Sequence, residues 1–276
     1  MIDAHHHLWK FNKEDYGWMD DSMQALKRDY LPADLEPLLN DSGVEGTVVV
    51  QARQKMEETR WLLELADKHD FIKGVVGWVD LRSDGLEAEL EEITSHPKMV
   101  GVRHLIHDEP DNGFILRPKF LRGIEKLCEY NLTYDLLLFP KHLENAIELA
   151  NRFPEQKFVL DHISKPFIKS AIMDPWREDV SCLAAQTNVW CKISGMVTEA
   201  DLKHWKYEDF VPYLDVITEA FGADRLMLGS DWPVCRLAGE YKQVISIPER
   251  YFESFNNEEK EKIFKNNCIE FYGLEI

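Results

Sequence analysis

Long apolar runs are missing from this 276-residue chain. No stretch approaches the eighteen or more residues that a membrane-crossing helix needs, and no leader-like segment is evident before the first apolar run. Positive charge is scarce as well: 32 Lys and Arg stand against 50 Asp and Glu, a formal net charge of −18, with no basic stretch to offset it. That balance excludes nucleic acid as a partner and disfavours anionic membrane surfaces, while leaving room for a locally positive pocket. Cysteine is sparse. Cys128, Cys182, Cys191, Cys235 and Cys268 are odd in number, scattered and without a C-x-x-C pair, so neither a disulfide framework nor a thiolate zinc site is expected. A reduced, cytoplasmic setting fits best. A linker rich in Gly, Ser or Pro, an internal repeat and a low-complexity tract are also absent, which predicts one domain over residues 1–276. No G-x-G-x-x-G follows an apolar run, which argues against an open dinucleotide-binding sheet.

What the chain does have is a regular alternation. Short, β-branched, nearly continuous apolar runs recur as "MIDAHHHLW", "GTVVVQ" (46–51), "IKGVVGWVD" (72–80), "VGVRHLI" (100–106), "TYDLLL" (133–138), "KFVLDHI" (157–163), "VWCKISG" (189–195) and "RLMLGSDWP" (225–233). Such runs suit strands buried on both faces of a parallel sheet. Between them lie segments with helical spacing. "EETRWLLELADKHD" places Trp61, Leu62, Leu65 and Ala66 on one stripe, and "PKFLRGIEKLCEY" buries Phe120, Ile124, Leu127 and Cys128 behind an early Pro118. "HLENAIELANRF" and "YEDFVPYLDVITEAFG" repeat the pattern, with Pro212 obscuring where the second helix starts. Eight strands alternating with helices predict an α/β fold of the (β/α)8, or TIM, barrel type.

In such barrels chemistry gathers at the C-terminal ends of the strands. Three of the ten histidines fall within the first seven residues. They run directly into Leu8-Trp9, which reads as a built-in strand rather than a tag. Alternation puts His5 and His7 on one face together with Asp3, and turns His6 away. The later runs end in Gln51 and Arg53; Trp78 and Asp80; Arg103 and His104, with His107 and Asp108 just beyond; Tyr134 and Asp135; Asp161 and His162, with Lys165 behind; Lys192 and Ser194; Ser230, Asp231 and Trp232. Any one of these has an ordinary structural reading. The combination of H-x-H, a histidine on the sixth run and an aspartate on the eighth is chemically coherent, because neutral imidazoles and a carboxylate suit zinc or a similar divalent ion. A carboxylate beside a water can also act as a general base on a carbonyl.

Taken in order, "DAHHHLW", "GWVDL", "GVRHLI", "LDHISKP", "KISG" and "GSDWP" resemble the amidohydrolase superfamily, in its branch of sugar lactonases and 2-pyrone-4,6-dicarboxylate lactonase. The resemblance spans nearly the whole chain and is nearest to the L-fuconolactonases and L-rhamnonolactonases. It implies a hydrolase that opens a sugar-acid lactone to the free aldonic acid, acting on a small molecule, with a homo-oligomer compatible. It implies a ligand set of His5, His7, His162 and Asp231, with Asp231 and His162 catalytic and Asp231 activating the water. The sequence departs from two-metal members, having Arg103-His104 where a bridging lysine or carboxylate would stand and Asp135 where a histidine is usual. The expected cofactor is therefore one divalent ion at most, zinc first, with a metal-independent route left open. Gln51, Trp78, Arg103, His104, Lys192 and Trp232 are the expected substrate contacts. A metal-dependent decarboxylase of the same superfamily and a non-catalytic sugar-acid-binding barrel are the competing readings.

Overall fold

The computed structural model describes residues 1–276, and its eight strands form a single sheet in the order β1 to β8, every adjacent pair parallel. The strands are β1 (Ile2–His6), β2 (Gly46–Val50), β3 (Ile72–Gly77), β4 (Met99–His104), β5 (Thr133–Leu136), β6 (Phe158–Leu160), β7 (Val189–Ile193) and β8 (Leu226–Leu228). Each falls inside one of the eight apolar runs, except that β4 starts one residue earlier, at Met99. β8 closes back on β1 beyond its own end. His7 N donates to Trp232 O at 2.6 Å, and Asp231 N to His5 O at 2.8 Å. The result is a TIM barrel.

Two apolar layers hold it. Outward-facing strand residues such as Val49, Val75, Val102, Leu160 and Leu228 pack against the helices, while Ile2, Ala4, Val48, Val50, Val76, Val159 and Met227 fill the interior. The floor of that interior is stopped by the C-terminal helix (Asn267–Tyr272) and the residues after it, through Cys268, Phe271, Tyr272 and Leu274. No helix is long and apolar enough to cross a membrane.

The helices follow the expected segments, with two adjustments. In Met56–Lys68 the buried stripe is Thr59, Leu62, Leu63 and Ala66, leaving Trp61 and Leu65 half-buried at its edge. In Pro118–Glu129, Phe120, Ile124 and Leu127 are buried and Cys128 is half-buried. The helix Tyr207–Phe221 runs through Pro212. The hydrogen bond that proline forfeits would go to the carbonyl of Glu208, an exposed first-turn residue that water can satisfy.

Candidate active site

Strand alternation brings most side chains to the right face, but at the ends of β1, β6 and β8 the backbone departs from it. In β1 the pairing register with β2 shifts between Asp3 and His6. Ala4 lies in the barrel interior, and beyond the shift His5 and His7 also face inward. His6 turns outward to Thr47, its Nε2 2.9 Å from the hydroxyl. Asp3 is not on the histidine face, as strict alternation would have it. It is buried between β1, β8 and the helix Tyr241–Tyr251, accepting from Ser230 Oγ at 2.6 Å and Tyr241 OH at 3.0 Å. It reaches His5 through the backbone N–H at 3.1 Å, not through the imidazole.

After β6 four consecutive residues, His162, Ile163, Ser164 and Lys165, have left-handed backbones with φ of 54°, 48°, 62° and 50°. For non-glycine residues that conformation costs about 1–2 kcal/mol each. The turn is secured by the Lys165 N–H to His162 O bond at 2.8 Å and by Trp176 Nε1 donating to Ile163 O at 2.8 Å. Its effect is that Asp161 and His162, neighbours in sequence, both face the axis. Asp231 shares this left-handed geometry, at φ 56°. Gly195 is required beside His162: a Cβ there would lie 2.5 Å from its Nδ1, and φ is +62°.

Around the barrel mouth these bends assemble three imidazoles on one carboxylate. Asp231 Oδ1 lies 3.5 Å from His7 Nε2, 3.8 Å from His162 Nε2 and 3.9 Å from His5 Nε2. His5, His162 and Asp231 offer ligand atoms all within 4.8 Å of one another, and His7 Nε2 stands 3.2 Å from His5 Nε2. The outer ring nitrogens are spoken for: His7 Nδ1 bonds to Val50 O at 2.8 Å and His162 Nδ1 to Ser194 Oγ at 2.8 Å. A carbonyl only accepts, so His7 carries a proton on Nδ1, which leaves Nε2 as the nitrogen turned to the cluster. His5 Nε2 faces the Arg103 guanidinium at 3.3 Å. Two ring nitrogens facing each other at 3.2 Å can share a cation, and oriented second nitrogens are the usual support of metal-ligating histidines. The residues fit a single divalent ion. Burial holds the imidazoles of His5 and His162 well below their ordinary range. Burial pushes the Asp231 carboxyl up, but His162, His7 and Lys165 together outweigh it and keep the group below the usual value, hence ionised.

Beneath this cluster lies a buried charge lattice. Arg103 Nη1 donates to Asp161 Oδ2 at 2.9 Å and its Nη2 to Gln51 O at 2.5 Å. Lys192 Nζ bridges Asp135 at 2.5 Å and Asp161 at 3.0 Å and lies 3.3 Å from His5 Nδ1. Tyr272, from the floor, donates to Asp135 at 2.9 Å. Burial opposes the charge on Asp161, yet Lys192, His5 and Arg103 hold its carboxyl well below the ordinary range. Burial pushes Asp135 up to about 6 despite Lys192.

A cavity of about 340 Å³ opens above the cluster, walled by His7, Arg103, His162 and Asp231 together with Trp9, Trp18, Met23, Ala52, Val234 and Leu237 on one side and Leu105, His107, Asp108, Leu137, Lys165, Thr198, Glu199 and Leu202 on the other. Of the six expected substrate contacts only Arg103 is on this wall. Lys192 is fully buried in the lattice, and Gln51 supports Arg103 from behind, donating to its carbonyl at 3.2 Å. His104 alternates away from Arg103, stacks on Phe114 and bonds to Glu109 at 2.8 Å, and Trp78 Nε1 points to His104 at 3.4 Å. Trp232 packs edge-on against Tyr30. The other five sit one position out of phase with the mouth or one layer below it. Asp161, given no role from sequence, is the central anion of the lattice. Its adjacency to His162 was the available signal, masked by the assumption that neighbours on a strand face opposite ways. Tyr272 gave no signal, since nothing local marks a floor residue.

A TIM barrel that gathers three imidazoles around one buried aspartate on its C-terminal rim carries the donor set of a hydrolase. Residues 2–274 match the amidohydrolase family, and the chain belongs to it. The L-fucono-1,5-lactonase of Burkholderia ambifaria is 38% identical over 278 residues, covering 99% of this chain and 96% of that protein. The L-fucono-1,5-lactonase of Burkholderia multivorans is 40% identical over 92% of this chain and 88% of its own. A crystal structure of an amidohydrolase from Burkholderia multivorans with bound zinc superposes with a TM-score of 0.95, at 38% identity over 99% of both chains.

Proposed function

We propose that this protein hydrolyses the lactone of a sugar acid to the free aldonic acid, with L-fucono-1,5-lactone as reference substrate. The observation that carries the reading is Asp231 Oδ1 set within 3.5–3.9 Å of three imidazole nitrogens on the wall of a cavity that also exposes Arg103. The two Burkholderia relatives, lactonases over nearly the full length, support the substrate class.

The chain's own groups suffice to order the steps. Arg103 is the guanidinium on the wall, clamped by Asp161 and Gln51 O, and serves the lactone carbonyl as a fixed donor for the charge that develops on its oxygen. His5, His7 and His162 surround the Asp231 carboxylate and orient a water beside it. The water attacks the carbonyl carbon and gives its proton to Asp231 as the C–O bond forms. The ring C–O bond then breaks, the departing alkoxide takes that proton back from Asp231, and the open hydroxy acid leaves. A divalent ion held by His5, His162 and Asp231, with His7 beside them, would polarise the carbonyl and make the water more acidic; zinc is the ion in the Burkholderia multivorans structure.

The test is acid release from L-fucono-1,5-lactone and from L-rhamnonolactone, against a no-enzyme control for spontaneous opening and with zinc or chelator added. Turnover above the spontaneous rate on either lactone is expected. No turnover on both, in protein loaded with zinc, overturns the reading.

A further inference from the structure

The last helix, Asn267–Tyr272, is seated against the underside of the barrel at both its ends. Asn267 Nδ2 donates to Ala223 O and Leu226 O, each at 2.7 Å, tying the first turn to the start of β8. Lys157 Nζ, just ahead of β6, donates to Glu270 O at 3.2 Å and so takes up a carbonyl that the helix end leaves without an N–H. Cys268, Phe271 and Leu274 contribute packing alone. Tyr272 sends a hydroxyl further in, to 2.9 Å from Asp135 Oδ2 and 3.0 Å from its Oδ1. Asp135 is wholly buried, and its carboxylate has one other partner, Lys192. Lys192 Nζ is drawn most closely to Asp135, at 2.5 Å, then to Asp161 Oδ1 at 3.0 Å, and passes His5 Nδ1 at 3.3 Å. Asp161 in turn sets Oδ1 3.3 Å from His5 Nδ1 and Oδ2 2.9 Å from Arg103 Nη1.

We propose that Tyr272 is a positioning residue for the reaction at the opposite end of the barrel: its O–H fixes Asp135, Asp135 fixes Lys192, and through Asp161 that placement reaches the His5 ring and the Arg103 guanidinium. The reaction itself is taken from the lactonase reading. Arg103 and Lys192 balance Asp135 and Asp161 in number, so the phenol adds a donor without upsetting the count of charges. A buried carboxylate has room for about four donors, and Asp135 is served by the phenol and the ammonium alone. Without the hydroxyl, Lys192 is its sole donor, and the ammonium on its flexible stem moves toward Asp135 and off Asp161. Asp161 then follows its remaining cation, Arg103, away from His5 Nδ1. Both displaced groups face the lactone, His5 beside Asp231 and Arg103 at the carbonyl, and catalytic geometry tolerates little displacement. The Tyr272 ring lies 5.5 Å from Lys192 Nζ and is kept in Tyr272→Phe, so that variant removes the hydroxyl and leaves the packing.

The experiment compares wild type, Tyr272→Phe and Leu274→Ala, the last a change in floor packing alone. Tyr272→Phe is expected to lower kcat/KM on L-fucono-1,5-lactone about tenfold, as loss of a group that orients ligating side chains does, and to move the ring-nitrogen NMR signals of His5. Leu274→Ala should lower the melting temperature and leave kcat/KM and those signals as in the wild type. In an Asp135→Asn background the hydroxyl has lost its carboxylate, and Tyr272→Phe should then cost less than about twofold. A merely structural floor would give losses that multiply in the double variant and would leave the His5 signals in place. Unmoved His5 signals in folded Tyr272→Phe, kcat/KM within about twofold of wild type, or equal effects of Leu274→Ala overturn the proposal. A wild type that opens no lactone overturns the lactonase reading instead, and the His5 signals still decide whether the floor positions the ring.

Discussion

A carboxylate that is to accept a proton has to be ionised beforehand, and at Asp231 the neighbouring His162 and His7 see to that against the effect of burial. Asp231→Asn keeps the size and the backbone but removes the accepting charge. Turnover on the reference lactone should fall about a hundred- to ten-thousand-fold with the melting temperature little changed, read from kcat and thermal unfolding of the same preparation. The three N-terminal histidines separate in the same pair of measurements. His7→Ala removes a wall residue and should abolish most turnover. His6→Ala removes a fully buried ring bonded to Thr47, on the far side of the strand from the cavity. Its expected effect is on stability, about 1–3 kcal/mol in denaturant unfolding, with kcat within a few-fold of wild type. Equal loss of turnover at both positions would contradict the assignment of faces. At this scale the sequence was informative about which residue types meet, and His5, His7, His162 and Asp231 do converge. It was less so about partners. Polarity at a strand end is visible in sequence, whereas the depth at which Lys192 and Gln51 sit is not.

Among the elements, all eight strands and the main helices were legible, because burial on both faces forces continuous apolar runs and helix burial forces a 3.6-residue stripe. Illegible were the bends that make the site. The register shift in β1 and the left-handed turn at 162–165 contain no glycine or proline of their own, Pro166 standing only after the turn, and tertiary contacts such as Trp176 Nε1 to Ile163 O hold the latter in place. The segment after β5 makes its own prediction. His142 is buried, its Nδ1 accepting from Phe139 N at 3.1 Å, and burial, then Lys141 and His107, lower it to about 4. The folded state therefore refuses a proton that the unfolded chain takes up near pH 6.5. Stability contributed by the neutral ring is complete above about pH 6.5 and is lost as pH falls toward 4, by at most about 3 kcal/mol. His142→Gln should flatten that part of the stability–pH curve, measured by urea unfolding between pH 4 and 7. An unchanged slope would show that the ring titrates normally.

For the whole molecule, the interior charges need the closed barrel: Arg103 comes from β4, Asp135 from β5, Asp161 from the residue after β6 and Lys192 from β7. Lys192 and Arg103 also occupy the carboxylates that a second metal would need, so loading with zinc should reach about one ion per chain by elemental analysis, not two. The division has a consequence for a severed chain. A cut at the exposed Asn112 leaves His5, His7 and Arg103 on one fragment and Asp135, Asp161, His162, Lys192 and Asp231 on the other. The first fragment then carries Arg103 without Asp161, and the second carries Asp135, Asp161 and Asp231 against Lys192. Neither is electrically complete, and leaving one partner of a buried ion pair uncompensated costs about 3–5 kcal/mol. Each fragment alone should stay unfolded and inert. Mixed together, they should regain circular dichroism and turnover at the same concentration, because electroneutrality of the interior and completion of the catalytic ring are one event.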